Sequence, residues 1–184
     1  MRLFVASAFE AGFIRTLRDV SDYARANSPA GAVKWVAPEN LHLTYAFLGD
    51  LDKAAAAAAA KGMEAALDGV KAFSVSTGGF GVFPSALRPS VLWVGIEEGA
   101  AELRDAAARL AAGLTAAGLV FENRFEPHIT LGRVKGDLPD NFLRRAADFT
   151  RSRKGVSAVS SVELMESVLT PEGPVYRQVY SKKL

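Results

Sequence analysis

Only two histidines occur in the 184-residue chain, His42 and His128, and each opens the same pattern, His42-Leu43-Thr44 and His128-Ile129-Thr130. There is no cysteine, so a thiol nucleophile, a Cys-ligated metal centre and a disulfide framework are all excluded. Two imidazoles also exclude a three-histidine zinc site, and a mixed site would have to recruit Asp or Glu from elsewhere in the chain. What a histidine pair does suit is a reaction that accepts one proton and delivers another. The unperturbed imidazole pKa of about 6.5 lets the basic and acidic forms coexist near neutrality.

Alternation along a strand puts His42 and Thr44 on one face, with Leu41, Leu43, Tyr45 and Phe47 on the other. His128 and Thr130 share a face in the same way, against Ile129 and Leu131. A single His-x-Thr in a strand is ordinarily a hydrogen-bonded structural histidine. Two copies that hold every histidine of the molecule, at equal parity on apolar strands, argue for function instead. Opposed across a cleft, the imidazoles would act as base and acid in phosphodiester cleavage without a metal, and Thr44, Thr130 and Arg133 would hold phosphate oxygens and the charge that develops on them. Strict alternation from His128 turns Arg133 away from the cleft, so its participation requires the strand to end, twist or bulge near Gly132.

The elements that must position these residues repeat. Residues 2 to 9 read as a strand, and Phe13, Ile14, Leu17, Val20 and Tyr23 recur at helical spacing after it. Lys34 to Val36 is extended, a Pro38-Glu39-Asn40 break follows, and Leu41 to Leu48 is a strand. Lys53 to Leu67 is a helix built on seven consecutive alanines, Phe73 to Phe83 an interrupted strand, Pro84 to Pro89 a turn, and Val91 to Ile96 a further strand. The second half replays this order. Ala100 to Ala117 is helical, Leu119 to Phe125 extended, His128 to Val134 a strand, Pro139 to Arg151 a helix, and Val156 to Leu169 and Val175 to Tyr180 are strands. The two motifs stand 86 residues apart, and Phe73 and Val159 each follow their own histidine by 31. The expectation is one body of residues 1–184 made of two repeat halves, roughly 1–90 and 91–184, packed about a pseudo-two-fold axis so that both His/Thr faces line one cleft.

Other candidates have plainer readings. Trp35, Trp93, Tyr45, Phe47 and Phe83 read as core residues, and the glycines of Ser76 to Gly81 as bulges, since no Lys-Ser/Thr of a phosphate loop follows them. Lys34, Arg88, Arg124 and Arg177 could form a basic rim for RNA, although most exposed cations are simply solvated. The 22 basic against 20 acidic residues permit an anionic substrate without demanding one. The opening MRLFVASAF is too short for a secretory signal and no apolar run reaches bilayer length, so the expected setting is the cytoplasm, away from membranes.

HLTYAFLG (His42 to Gly49) and PHITLGR (Pro127 to Arg133) resemble the paired His-x-Thr/Ser signatures of the 2H phosphoesterase superfamily. The lead-in WVAPENLHLT, FGVFPSALRPSVLWVGI, FEPHITLGRV and the closing ELMESVLTPEGPVY extend the likeness over essentially the whole chain. They point within the superfamily to the RNA 2′,3′-cyclic phosphodiesterases, also called 2′-5′ RNA ligases. Tyr45 where leucine is usual, and Gly132 where alanine is common, are small departures.

The resemblance implies an α+β fold of two pseudo-symmetric lobes, each an antiparallel sheet with helices on its outer face, and an active-site cleft between them. It implies hydrolysis of RNA 2′,3′-cyclic phosphate ends to 2′-phosphomonoesters, with reversible 2′-5′ ligation known in the family, and needs no cofactor and no metal. The family roles fall on His42 as proton donor, His128 as proton acceptor, Thr44 and Thr130 as the motif hydroxyls and Arg133 as the phosphate-binding arginine. The implied partner is RNA ending in a cyclic phosphate, tRNA fragments among them, bound by a monomer. Two readings stay open beside it: another 2H activity, on 2′-5′ oligonucleotides or small cyclic phosphates, and a non-catalytic binder of RNA ends.

Overall fold

A computed structural model describes every residue from Met1 to Leu184 except Glu172. Strand β1 (Arg2–Ser7) is buried from Leu3 onward because it lies between β3 (Leu43–Asp50) and β8 (Ser161–Thr170). Helix α1 (Ala11–Ala26) turns Phe13, Leu17, Val20 and Ala24 into the core, the spacing expected of a one-sided apolar stripe. Strand β2 (Val33–Trp35) and a 3-10 turn at Pro38–Asn40 lead into β3. The remaining elements are α2 (Lys53–Ala66), β4 (Phe73–Ser85), β5 (Arg88–Ile96), α3 (Ala100–Ala116), β6 (His128–Val134), α4 (Phe142–Arg151), β7 (Val156–Val159) and β9 (Gly173–Lys183).

The strands run in the order β7-β4-β5-β6-β3-β1-β8-β9, with β2 beside β6. At the middle of that order β3 and β6 share one register pair, Leu43 with Ile129, and this seam divides the α+β molecule into two antiparallel lobes. One lobe is β3-β1-β8-β9, covered by α2 and α3. The other is β6-β5-β4-β7, covered by α1 and α4. The lobes are therefore not the sequence halves. The first half sends α1, β2 and β4 across to the second lobe, and the second half sends α3, β8 and β9 back. Neither half closes a core by itself, because each sheet borrows strands from the other.

The alanine run of α2 has a packing reason. Asp52 caps the helix, its Oδ1 accepting from Ala55 N at 2.8 Å, and Ala56, Ala59, Gly62 and Met63 are buried. A Cβ at Gly62 would stand 2.8 Å from the Gly113 carbonyl oxygen of α3, and one at Gly113 would stand 2.6 Å from that of Gly62. Two glycines face to face let the helices approach at backbone distance.

Several boundaries differ from the sequence reading. Residues 119 to 125 join no sheet: Leu119 is buried, but Val120 projects into solvent, and the segment is held by packing of Leu119, Phe121 and Phe125 on the core. The single strand expected from Val156 to Leu169 is two, since β7 pairs with β4 while β8 crosses to pair with β1. Strand β3 starts at Leu43, one residue past the histidine, and α4 starts at Phe142 rather than Pro139.

Candidate active site

The motif strands are anchored by Leu43, Ile129 and Leu131, all fully buried, so their His/Thr faces are turned the opposite way. Each imidazole is fixed by the same contact. His42 Nδ1 lies 2.6 Å from the Asn40 carbonyl oxygen, and His128 Nδ1 lies 2.6 Å from that of Glu126. A carbonyl can only accept, so Nδ1 carries the hydrogen and donates in both rings, which leaves Nε2 as the nitrogen free for chemistry. Since Nδ1 also donates in the imidazolium form, ring orientation survives a change of protonation. The Asn40 side chain donates to the Pro174 carbonyl at 3.1 Å and ties the 3-10 turn to the β8–β9 hairpin.

Aromatic rings wall both histidines. Phe4 stands 5.1 Å from the His42 ring, and Tyr176 meets it edge-on at 5.2 Å and 88°. On the other side Phe83 meets His128 edge-on at 5.0 Å and 89°, and Trp93 lies 6.1 Å away. Burial holds the His42 pKa below its ordinary value. The Asn40 carbonyl opposes this by favouring the charged ring, and positive charge on His128 adds to the lowering. The two imidazoles thus feel each other across the cleft. Tyr176 is pushed up by burial, against the pull of Arg133 and Arg2, which places the Arg133 guanidinium in the same neighbourhood as His42.

Arg133 reaches that neighbourhood through a bulge. The β5–β6 ladder pairs Trp93 with Thr130 and Leu92 with Gly132, so Leu131 is the extra residue and Arg133 returns to the histidine face. The bulge sits one residue earlier than expected. Gly132 serves close packing, for a Cβ there would lie 2.6 Å from Val33 Cγ1. The β1–β3 ladder bulges at the equivalent place, pairing Ala6 with Thr44 and Val5 with Ala46 around Tyr45. Phe47 is therefore returned to the histidine face as well. It is 68% exposed and stands 6.2 Å from Phe4, which corrects its expected place in the core.

Trp93 and Phe83 are likewise part of the cleft wall and only half-buried. The glycine-rich strand explains how. A Cβ at Gly81 would come within 2.2 Å of two Trp93 ring atoms, and one at Gly95 within 3.3 Å of another, so the indole lies on a glycine bed. The expected bulge is present too, between Thr77 and Phe80. Trp93 Nε1 is buried without a hydrogen-bond partner among the described residues. Tyr45 is core as expected, stacked on Phe125 and bonded to Ser7 Oγ at 3.2 Å, and Trp35 packs under the Arg25 guanidinium. Of the basic rim, Arg124 is paired with Glu122. The histidine-walling role of Phe4 and Tyr176 has no periodic signal in sequence. The glycines at 81 and 95 are the available clue to Trp93. Among the described residues no three His, Cys, Asp or Glu side chains converge to hold a metal ion, and no helix is long and apolar enough to cross a membrane.

Comparison with known proteins adds an independent observation. The sequence profile of the 2'-5' RNA ligase superfamily matches residues 6–168. The chain belongs to that superfamily. An Aeropyrum pernix protein named RNA 2',3'-cyclic phosphodiesterase is 37% identical over 156 residues, covering 82% of this chain and 86% of its own. An Archaeoglobus fulgidus protein of the same name is 32% identical over 185 residues, covering 97% and 98%. Among solved structures, TT0787 of Thermus thermophilus superposes with a TM-score of 0.79 at 26% identity, over 100% of this chain and 98% of that one.

Proposed function

We propose that this member of the superfamily hydrolyses RNA 2′,3′-cyclic phosphate ends to 2′-phosphomonoesters by two-histidine acid–base catalysis. The observation that carries the reading is the matched pair of imidazoles, each held through Nδ1 by a carbonyl two residues earlier with Nε2 left free. Water attacks phosphorus and gives its proton to His128 Nε2. The bond to O3′ breaks, and that oxygen takes a proton from His42 Nε2, leaving the phosphate on O2′ and a free 3′-hydroxyl. Exchange with solvent returns the two rings to their starting forms. Thr44, Thr130 and Arg133 hold the non-bridging oxygens, where negative charge grows in the transition state. With an RNA 5′-hydroxyl attacking phosphorus in place of water, the same two proton transfers break the bond to O3′ and leave a 2′-5′ diester, which is the ligation chemistry and needs no further group; run backward, they cleave that diester to the cyclic phosphate.

His42 must be protonated to act, and burial opposes that in the free enzyme. An anionic phosphate between the rings favours the charged form, so substrate itself charges the acid. Each positioned acid or base commonly supplies about 10² to 10⁴ in rate, and His42→Ala and His128→Ala should each lose activity by that order while circular dichroism stays native. The assay is a defined RNA with a 2′,3′-cyclic end followed by mapping of the product phosphate. A 3′-phosphate product would overturn the donor and acceptor assignment, and near-native turnover in either variant would overturn the mechanism.

A further inference from the structure

Lys34 stands directly across the β2–β6 ladder from Arg133, so the two side chains leave the sheet on the same face. Its neighbours show which face that is. Val33 turns into the core with Leu92 and Phe142, and Trp35 turns under Arg25 of α1, so Lys34 projects to the cleft side. Across β5 and β4 the same row continues with Val91 and Phe83, and Phe83 ends it against His128. The row therefore reads cation, cation, aliphatic, aromatic, and runs from the end of the cleft to the second histidine.

Two like charges directly opposite in an antiparallel ladder destabilise it, with Cβ atoms only about 4.5–5.5 Å apart. Arg25, Arg104, Arg109, Arg124 and Arg151 each pair with an acidic side chain, and other exposed arginines such as Arg15 and Arg18 stand alone on outer surfaces among the described residues; Lys34 and Arg133 differ from both in facing each other across a ladder on the cleft side. Among the described residues neither Lys34 nor Arg133 has an acidic partner. An uncompensated cation pair on a cleft face is a site for anions, and two cations in adjacent strands suit two negative groups. The proposed reaction occupies Arg133 with one of them.

We infer that Lys34 holds a second phosphate, the internucleotide diester on the 5′ side of the reacting nucleotide, so that the protein reads an RNA chain in preference to an isolated cyclic nucleotide. This rests on the function proposed above. The division of labour follows the side chains. Arginine's fixed fork suits the reacting phosphate, whose geometry must be exact, while lysine is a point charge on a flexible stem that tolerates the varied backbone of a single strand.

The test compares kcat/KM on a nucleoside 2′,3′-cyclic phosphate with that on a short RNA bearing the same end, for the native protein, Lys34→Gln and Lys34→Arg. Lys34→Gln should lose about fivefold on the RNA at low salt and less than about twofold on the nucleotide, and the log–log salt slope should shrink by about 0.7. Lys34→Arg should keep the preference for RNA. Equal losses on both substrates, or no loss on either, overturn the assignment. Anisotropy binding of a labelled RNA ending in a 2′-phosphate runs in parallel. If the native protein turns over neither substrate, the proposed reaction fails, and native-like RNA binding by Lys34→Gln still overturns the role of Lys34.

Discussion

The two motif strands are built alike up to a point and then diverge. In both, the histidine Nδ1 donates to a carbonyl two residues back, a hydroxyl follows on the same face, and a bulge falls one residue after that hydroxyl. Three residues past the threonine, the bulge delivers Phe47 in one lobe and Arg133 in the other. Identical backbone devices thus present an exposed aromatic ring at one position and a guanidinium at its counterpart. The surroundings diverge as well: Ala6 is the neighbour of Thr44, whereas Trp93, resting on glycines, is the neighbour of Thr130. A duplicated frame orients the two imidazoles alike, and the side chains hung on it give the cleft a direction.

If that direction is real, exchanging the divergent residues should hurt unequally. Arg133→Ala removes a charged donor from the developing phosphate charge and should cost about 10²-fold in kcat, the scale of losing one transition-state donor. Phe47→Ala should leave kcat within a few-fold and stability within about 0.5 kcal/mol, as for a surface site. Equal losses at the two positions would break the comparison, and steady-state kinetics on the cyclic-phosphate RNA decides it.

The glycine bed offers the next test. Gly81→Ala places a methyl where the Trp93 ring lies, and overpacking of this kind costs about 1–3 kcal/mol. Because Trp93 and Phe83 wall His128, turnover of the cyclic-phosphate RNA should fall beyond what the lost stability accounts for. Denaturant midpoints give the stability change. An unperturbed midpoint would mean the strand slides to accommodate the methyl.

The smallest effect concerns proton affinity. In the proposed reaction His42 acts protonated, and burial makes its protonated form give way at a pH below the ordinary histidine range. Nuclear magnetic resonance titration of the His42 ring in the free protein should show that midpoint directly. Tyr176→Leu opens the His42 wall to water and should move the midpoint upward, the first cause of the depression being burial. A midpoint that does not move would show that Tyr176 does not shield the ring.

How much of this can be read from sequence depends on the kind of information each feature needs. The motif pair, its spacing and most helices follow from local pattern, and so does the need for a bulge before Arg133. The matching bulge at Tyr45 escapes such a reading because one extra residue in a ladder has no compositional mark, and Phe47 is misplaced with it. Parity separates two faces but cannot tell a core face from a cleft wall, so Trp93 and Phe83 read as core. The crossing of α1 and α3 between lobes is invisible for a similar reason: an apolar stripe says that a helix is covered, not which sheet covers it. Residues 119 to 125 have β-prone composition, but in the fold they have no strand to pair with.

The Nδ1 contacts have a consequence for how this site tolerates change. Both acceptors are main-chain oxygens, so substitution at Asn40 or Glu126 alters a side chain while the acceptor that sets the tautomer stays in place. What the contact depends on is the count of residues between carbonyl and ring. A one-residue insertion or deletion beside Leu41 or Pro127 would do what no single substitution at the acceptor can, turning the imidazole away with every chemically important side chain still present.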